Sequence, residues 1–122
     1  MWLAMAVVGS IQPGWPELRI WFFIVLVSPL LEEFIFRGGL QAWLYEKPRL
    51  RQTPLINISY ANLITSVVFA AFHLYSQPPL WALSILVPSL IFGWARDKTG
   101  SFLPSVVLHA WYNLGFVALF VR

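Results

Sequence analysis

The chain has 122 residues, enough for one domain, and it contains no cysteine, which excludes disulfides, zinc–thiolate sites and a cysteine nucleophile. It is 59% hydrophobic and only 11% charged, with a net charge of +3 and a mean hydropathy of +0.72. Soluble domains carry about 25% charged residues, so this composition excludes disorder and argues for a lipid bilayer as solvent. Its cations gather mostly in two loops, a pattern that suits membrane orientation and argues against a nucleic-acid partner.

Met1 to Ile11 is apolar but shorter than the roughly 20 residues a span needs. It lacks the charged start of a signal peptide, so it reads as a partial span or the remnant of a longer N-terminus. Gln12-Pro13-Gly14-Trp15-Pro16 breaks the chain. A long helix is expected from about Glu17 to Tyr45, kinked at Pro29, with Gly38-Gly39 allowing close approach of another backbone. Residues 46–57 hold Lys47, Arg49 and Arg51 and read as a basic loop. The next helix runs from about Ser59 to Tyr75, with Ala61, Ser66, Ala70 and Ala71 as small packing residues. After an uncharged connection at 76–79, a helix of structural role runs from about Leu80 to Ala95, interrupted by Pro88. Residues 96–100 form a short basic loop, and the last helix covers about Phe102 to Val121. The first and third of these loops are basic and the second is neutral, which places the basic pair in the cytoplasm.

The expected fold is all-α: a polytopic transmembrane helical bundle of four core helices plus a partial N-terminal segment. It forms a single domain over 1–122, with the motif-bearing core at about 18–121. A polar, water-reachable cavity is expected at its centre, in a multi-pass protein of a prokaryotic cell (inner) membrane.

Six polar residues fall inside these apolar helices: Glu32, Glu33, Arg37, His73, His109 and Asn113. Ionisable groups at such depth are costly and usually functional. At about 1.5 Å per residue, Glu32 and His73 lie about 20 and 21 Å from the cytoplasmic helix ends. By the same rise, His109 and Asn113 lie about 10 and 16 Å deep. Three helices can therefore bring polar groups to a common level. Glu33 and Arg37 are four apart and should pair. Glu32, rotated about 100° away on a helix, faces a neighbouring helix instead. His73 follows Phe69 by four, so the ring can shelve the imidazole. His109 and Asn113 share a face, and both can donate to a developing oxyanion. A carboxylate with a histidine can hold and deprotonate water. This combination suits peptide hydrolysis without a serine, cysteine or aspartate-pair nucleophile.

The sequence E-E-x-x-x-R (Glu32, Glu33, Arg37), then F-x-x-x-H (Phe69, His73) and H-x-x-x-N (His109, Asn113), resembles the three motifs of the CAAX-protease and bacteriocin-processing family. That resemblance covers roughly residues 18 to 121. It implies an intramembrane glutamic endopeptidase. Glu32 and His73 would activate water, His109 and Asn113 would form the oxyanion hole, and Glu33, Arg37 and Phe69 would support them. Substrates would be CAAX tails, bacteriocin-like peptides or C-terminal sorting tails, lipidated or not, presented at the bilayer.

Plainer readings stand beside these. Glu32 and Glu33 could belong to a solvated interfacial helix, and Glu33–Arg37 could be a purely structural pair. The histidines could be packed core residues, and Asn113 could glue two helices. Glu32, His73 and His109 could instead bind zinc, although no H-E-x-x-H is present and no cofactor is expected. The same residues could also serve a small transporter or an immunity protein.

Overall fold

The computed structural model describes residues 18–54 and 56–120, and the expected N-terminal segment and its breaker cluster lie outside them. Among the described residues there are four long helices and no strand. Helix α1 covers 18–45 and alternates α and π geometry: α over Leu18–Phe22, π over Phe23–Val27, α over Ser28–Ile35, π over Phe36–Gln41, and α over Ala42–Tyr45. A 3-10 turn follows at Pro48–Arg51. Helix α2 is Tyr60–His73, α3 is Pro79–Thr99 and α4 is Leu103–Phe120.

The π segments account for how α1 accommodates Pro29. In an α-helix the proline ring would collide with the carbonyl four residues back. Here the preceding turn widens, and Ser28 N–H bonds Phe23 O, five residues back. The helix continues instead of breaking. Carried one residue further, that register would pair Pro29 with Ile24 O, and proline has no N–H to give. Asn113 on α4 supplies it: Nδ2 donates to Ile24 O at 2.9 Å. In the second π segment the Arg37 carbonyl likewise accepts from another helix, from Arg96 Nε at 3.2 Å.

Two sequence expectations need correction. Helix α3 is not interrupted at Pro88 and does not end at Ala95; it runs unbroken to Thr99. Its charged end stays helical because side chains hold it. Asp97 accepts from Gln41 Nε2 at 2.9 Å and from Ser59 Oγ. Thr99 Oγ1 bonds Ala95 O at 2.7 Å. Gly100, at φ 71°, closes the helix with its N–H on Arg96 O. The second correction concerns the glycines. The atoms nearest a Cβ on Gly38 belong to the Phe102 ring, at 3.3 Å, and a Cβ on Gly39 would meet Phe34 O of its own helix, at 3.8 Å. The close approach occurs at Gly93, where a Cβ would fall 1.8 Å from Asn62 Oδ1.

Among the described residues many buried positions are polar and many exposed ones are large and apolar, unlike a water-soluble bundle. Glu32, Glu33, Arg37, Gln41, Asn62, Ser66, His73, Ser89, His109 and Asn113 are all buried. Leu26, Leu30, Phe34, Val67, Phe72, Leu83, Val87, Ile91, Val107 and Trp111 are exposed. The apolar interior is small: Phe36, Phe69 and Ile85 form one cluster, and Ile24 with Val117 another. By length and composition one described helix, Pro79–Thr99, suffices to cross a membrane; Tyr60–His73 and Leu103–Leu119 are shorter apolar helices.

Candidate active site

The site is assembled where α1, α2 and α4 converge, with α3 behind. Glu32 and Glu33 sit on the α turn between the two π segments. Adjacent residues on a helix point about 100° apart, and both carboxylates are nevertheless buried, at 3% and 0% exposure. Both meet the same imidazole. His109 Nδ1 lies 2.9 Å from Glu33 Oε1, and His109 Nε2 lies 3.5 Å from Glu32 Oε2. Ser28 Oγ, one turn earlier, lies 3.4 Å from the same Glu32 oxygen.

Glu33 also pairs with Arg37, as the spacing predicts, with Nη1 3.2 Å from Oε2. The guanidinium is fully buried and lies between two rings, 5.0 Å from the Phe69 centroid and 5.8 Å from that of Phe92. Phe92 in turn stacks on the His109 ring at 5.0 Å and 17°. Phe69 touches both histidines, at 4.9 Å from His73 and 6.0 Å from His109 between centroids. The shelf expected beneath His73 is therefore present, and it extends to His109.

Hydrogen-bond directions fix the imidazoles. His73 Nδ1 is 2.7 Å from Phe69 O. A carbonyl only accepts, so Nδ1 carries the proton and a neutral His73 presents a bare Nε2. That Nε2 is buried without a hydrogen-bond partner among the described residues. His109 Nδ1 faces a carboxylate paired with Arg37, so it too must donate. A neutral His109 would then set a bare Nε2 against a carboxylate oxygen at 3.5 Å. Two acceptors repel at that distance unless one proton lies between them.

Six of the seven sequence-predicted residues form one contiguous cluster: Glu32, Glu33, Arg37, Phe69, His73 and His109. Asn113 lies one turn from His109, and its amide goes to the Ile24 carbonyl. One of its two N–H bonds is thus engaged in helix gluing. The cluster is closed among the described residues, since Glu32 at 3% is its most exposed member. The expected water-reachable cavity is therefore not open in this conformation. An open groove of about 410 Å³ between α2 and α3 is lined by Val67, Ala70, Leu83 and similar side chains, and by none of the site residues.

The sequence reading missed a second polar layer. Ser89, Gly93 and Asp97 on α3, Asn62 and Ser66 on α2, and Gln41 on α1 bind one another below the site. A signal for it was available. Glu33, Arg37 and Gln41 are four apart, as are Ser89, Gly93 and Asp97, and Ser105, His109 and Asn113. Four-residue spacing puts each set on one helix face.

Residues 13–115 match the family described as type II CAAX prenyl endopeptidase, Rce1-like. The chain belongs to this family. No curated protein and no solved structure matches it. Membership of this Rce1-like family makes the chain one of a group of membrane-embedded endopeptidases. Among the described residues, no three His, Cys, Asp or Glu side chains are grouped so as to hold a metal ion.

Proposed function

We propose that the chain is a polytopic intramembrane endopeptidase of the glutamic type, acting on a membrane-associated peptide or protein, prenylated or not. The carrying observation is Glu32 Oε2 at 3.5 Å from His109 Nε2, with the His73 and His109 rings both packed on Phe69. Multi-pass insertion is supported by the apolar exterior and polar interior. The loop bearing Lys47, Arg49 and Arg51 and the last turn of α3, which bears Lys98, meet at one end, where Arg51, Asn57, Ser59, Asp97 and Lys98 line a common small pocket. The positive-inside rule assigns that end to the cytoplasm. Because the cluster is closed, substrate entry requires the helices to part.

The chemistry follows from proton positions. One proton is shared by Glu32 and His109. When it sits on His109, Glu32 is a carboxylate and Nε2–H is a donor. His73 Nε2 accepts one hydrogen bond from a water, and Glu32 takes that water's other proton as its oxygen attacks the scissile carbonyl carbon. The carbonyl oxygen becomes an oxyanion, stabilised by His109 Nε2–H and by the second N–H of Asn113. Collapse breaks the C–N bond, and the departing amine receives the proton from Glu32. Glu33, with Arg37 behind it, keeps Nδ1 of His109 protonated.

The test is mass spectrometry of membrane peptides from cells carrying the wild-type chain or Glu32→Gln. Fragments are expected with the wild type alone; equal cleavage by Glu32→Gln refutes the proposal. Activity is expected to survive exhaustive chelation. Loss that added zinc restores would replace the glutamic mechanism by a metal one.

A further inference from the structure

Helix α3 carries none of the residues singled out for catalysis, yet it holds the site's only described cation in place. Arg37 Nη2 donates to both the carbonyl and the hydroxyl of Ser89, the latter at 2.5 Å. Ser89 Oγ donates onward to Ser66 Oγ at 3.0 Å, and Ser66 Oγ to Asn62 Oδ1 at 3.0 Å. Asn62 Nδ2 ends the chain on Leu90 O at 2.9 Å. Every donor in this series points the same way, away from the site. Arg37 only donates, so each hydroxyl must accept from the site side and give its proton onward. Ser66, Ser89 and Asn62 are all fully buried, so no bulk water competes for these bonds.

We propose that Ser89 is a positioning residue for this reaction: it clamps Arg37, Arg37 clamps Glu33, and Glu33 holds His109 with Nε2 toward Glu32. The inference rests on the endopeptidase reading for its kinetic consequence, and not for its structural one. Loss of the Ser89 hydroxyl leaves the Ser89 carbonyl as an acceptor for Nη2. Arg37 therefore stays buried, but it gains freedom to turn. Glu33 then loses its fixed partner, and the proton on His109 redistributes between the two ring nitrogens.

Two measurements test this on the full chain in detergent micelles. The first needs no substrate: ¹⁵N spectra of the histidines report which ring nitrogens carry protons. A protonated Nδ1 is expected for His109 in the wild type, with a shifted or divided signal in Ser89→Ala. Identical spectra, or a wild-type His109 bare at Nδ1, would overturn the proposal. The second is kinetic. Ser89→Ala is expected to lower kcat about tenfold, the scale of one lost bond to a charged group, with KM within about twofold. Ser89→Thr, which keeps the hydroxyl, is expected to recover most of that loss. Combined with Glu33→Gln, the two losses should not add, because both act through the same link. Unchanged kcat in Ser89→Ala, or fully additive losses, would each defeat the clamp. Where Ser89→Ala fails to fold, Ser66→Ala removes the acceptor of the Ser89 proton together with the donor to Asn62 Oδ1 and leaves the Ser89 hydroxyl on Arg37, and a loss of about threefold is expected. If the wild type cleaves nothing, the endopeptidase reading falls, and the ¹⁵N spectra still decide on Ser89.

Discussion

Gly93→Ala tests how the helices interlock. A Cβ at position 93 would stand 1.8 Å from Asn62 Oδ1, 2.3 Å from its Cγ and 2.8 Å from Gln41 Oε1. Side-chain tips can often swing aside, but these two are anchored. Asn62 Nδ2 bonds Leu90 O at 2.9 Å while Oδ1 accepts from Ser66. Gln41 Nε2 bonds Gly93 O and Asp97 Oδ1, both at 2.9 Å. Clearing the methyl group moves both amides. Overpacking costs about 1–3 kcal/mol, and each hydrogen bond lost adds about 1 kcal/mol. Alanine returns about 1 kcal/mol of helix propensity. The balance is a loss of about 2–4 kcal/mol. Gly115→Ala is the control, since nothing lies within 4 Å of its added Cβ, and it should be neutral or stabilising by up to about 1 kcal/mol. Denaturant titration in mixed micelles reads both. Equal stability for Gly93→Ala and the wild type would refute the interlock.

Two further outcomes follow from buried charge and the π turn. Arg37→Met leaves Glu33 buried without its cation and should destabilise the fold by about 3–5 kcal/mol; adding Glu33→Gln, which removes the stranded charge, should recover part of that in the same titration. Asn113→Ala strips the Ile24 carbonyl of its donor and should cost about 1–3 kcal/mol, read as a lower unfolding midpoint, and an unchanged midpoint would mean the amide does not support the π turn.

Much of the site was legible because intramembrane charge is rare. Once a bilayer is assumed, Glu32, Glu33, Arg37, His73 and His109 stand out from an apolar background, and the Glu33–Arg37 pair follows from spacing alone. Neutral polar residues gave no such contrast. Ser66, Ser89 and Asn62 look like ordinary small packing residues until their four-residue spacing is compared across helices. The end of α3 was misjudged because Arg96, Asp97 and Lys98 read as a loop. Only partners distant in sequence, Gln41 and Ser59, satisfy Asp97 within a helix. Gly93 could not be distinguished from Gly38 or Gly39 by sequence, since what decides a glycine's role is the atom facing it. The role of Asn113 depended on a register change in another helix, for which Pro29 was the sole clue.

Charge counting ties these observations together. Glu32 and Glu33 bring two negative charges, Arg37 one positive, and the proton proposed between Glu32 and His109 would make the cluster neutral. A net charge fixed at this depth would cost several kcal/mol, which is the reason for proposing that proton there. The proposed reaction preserves the balance. When Glu32 accepts the proton of the attacking water, its negative charge passes to the oxyanion, which forms beside the imidazolium of His109. No step changes the total. On this account Glu33 and Arg37 contribute to catalysis without touching substrate: they keep His109 able to hold its second proton while the negative charge moves past it.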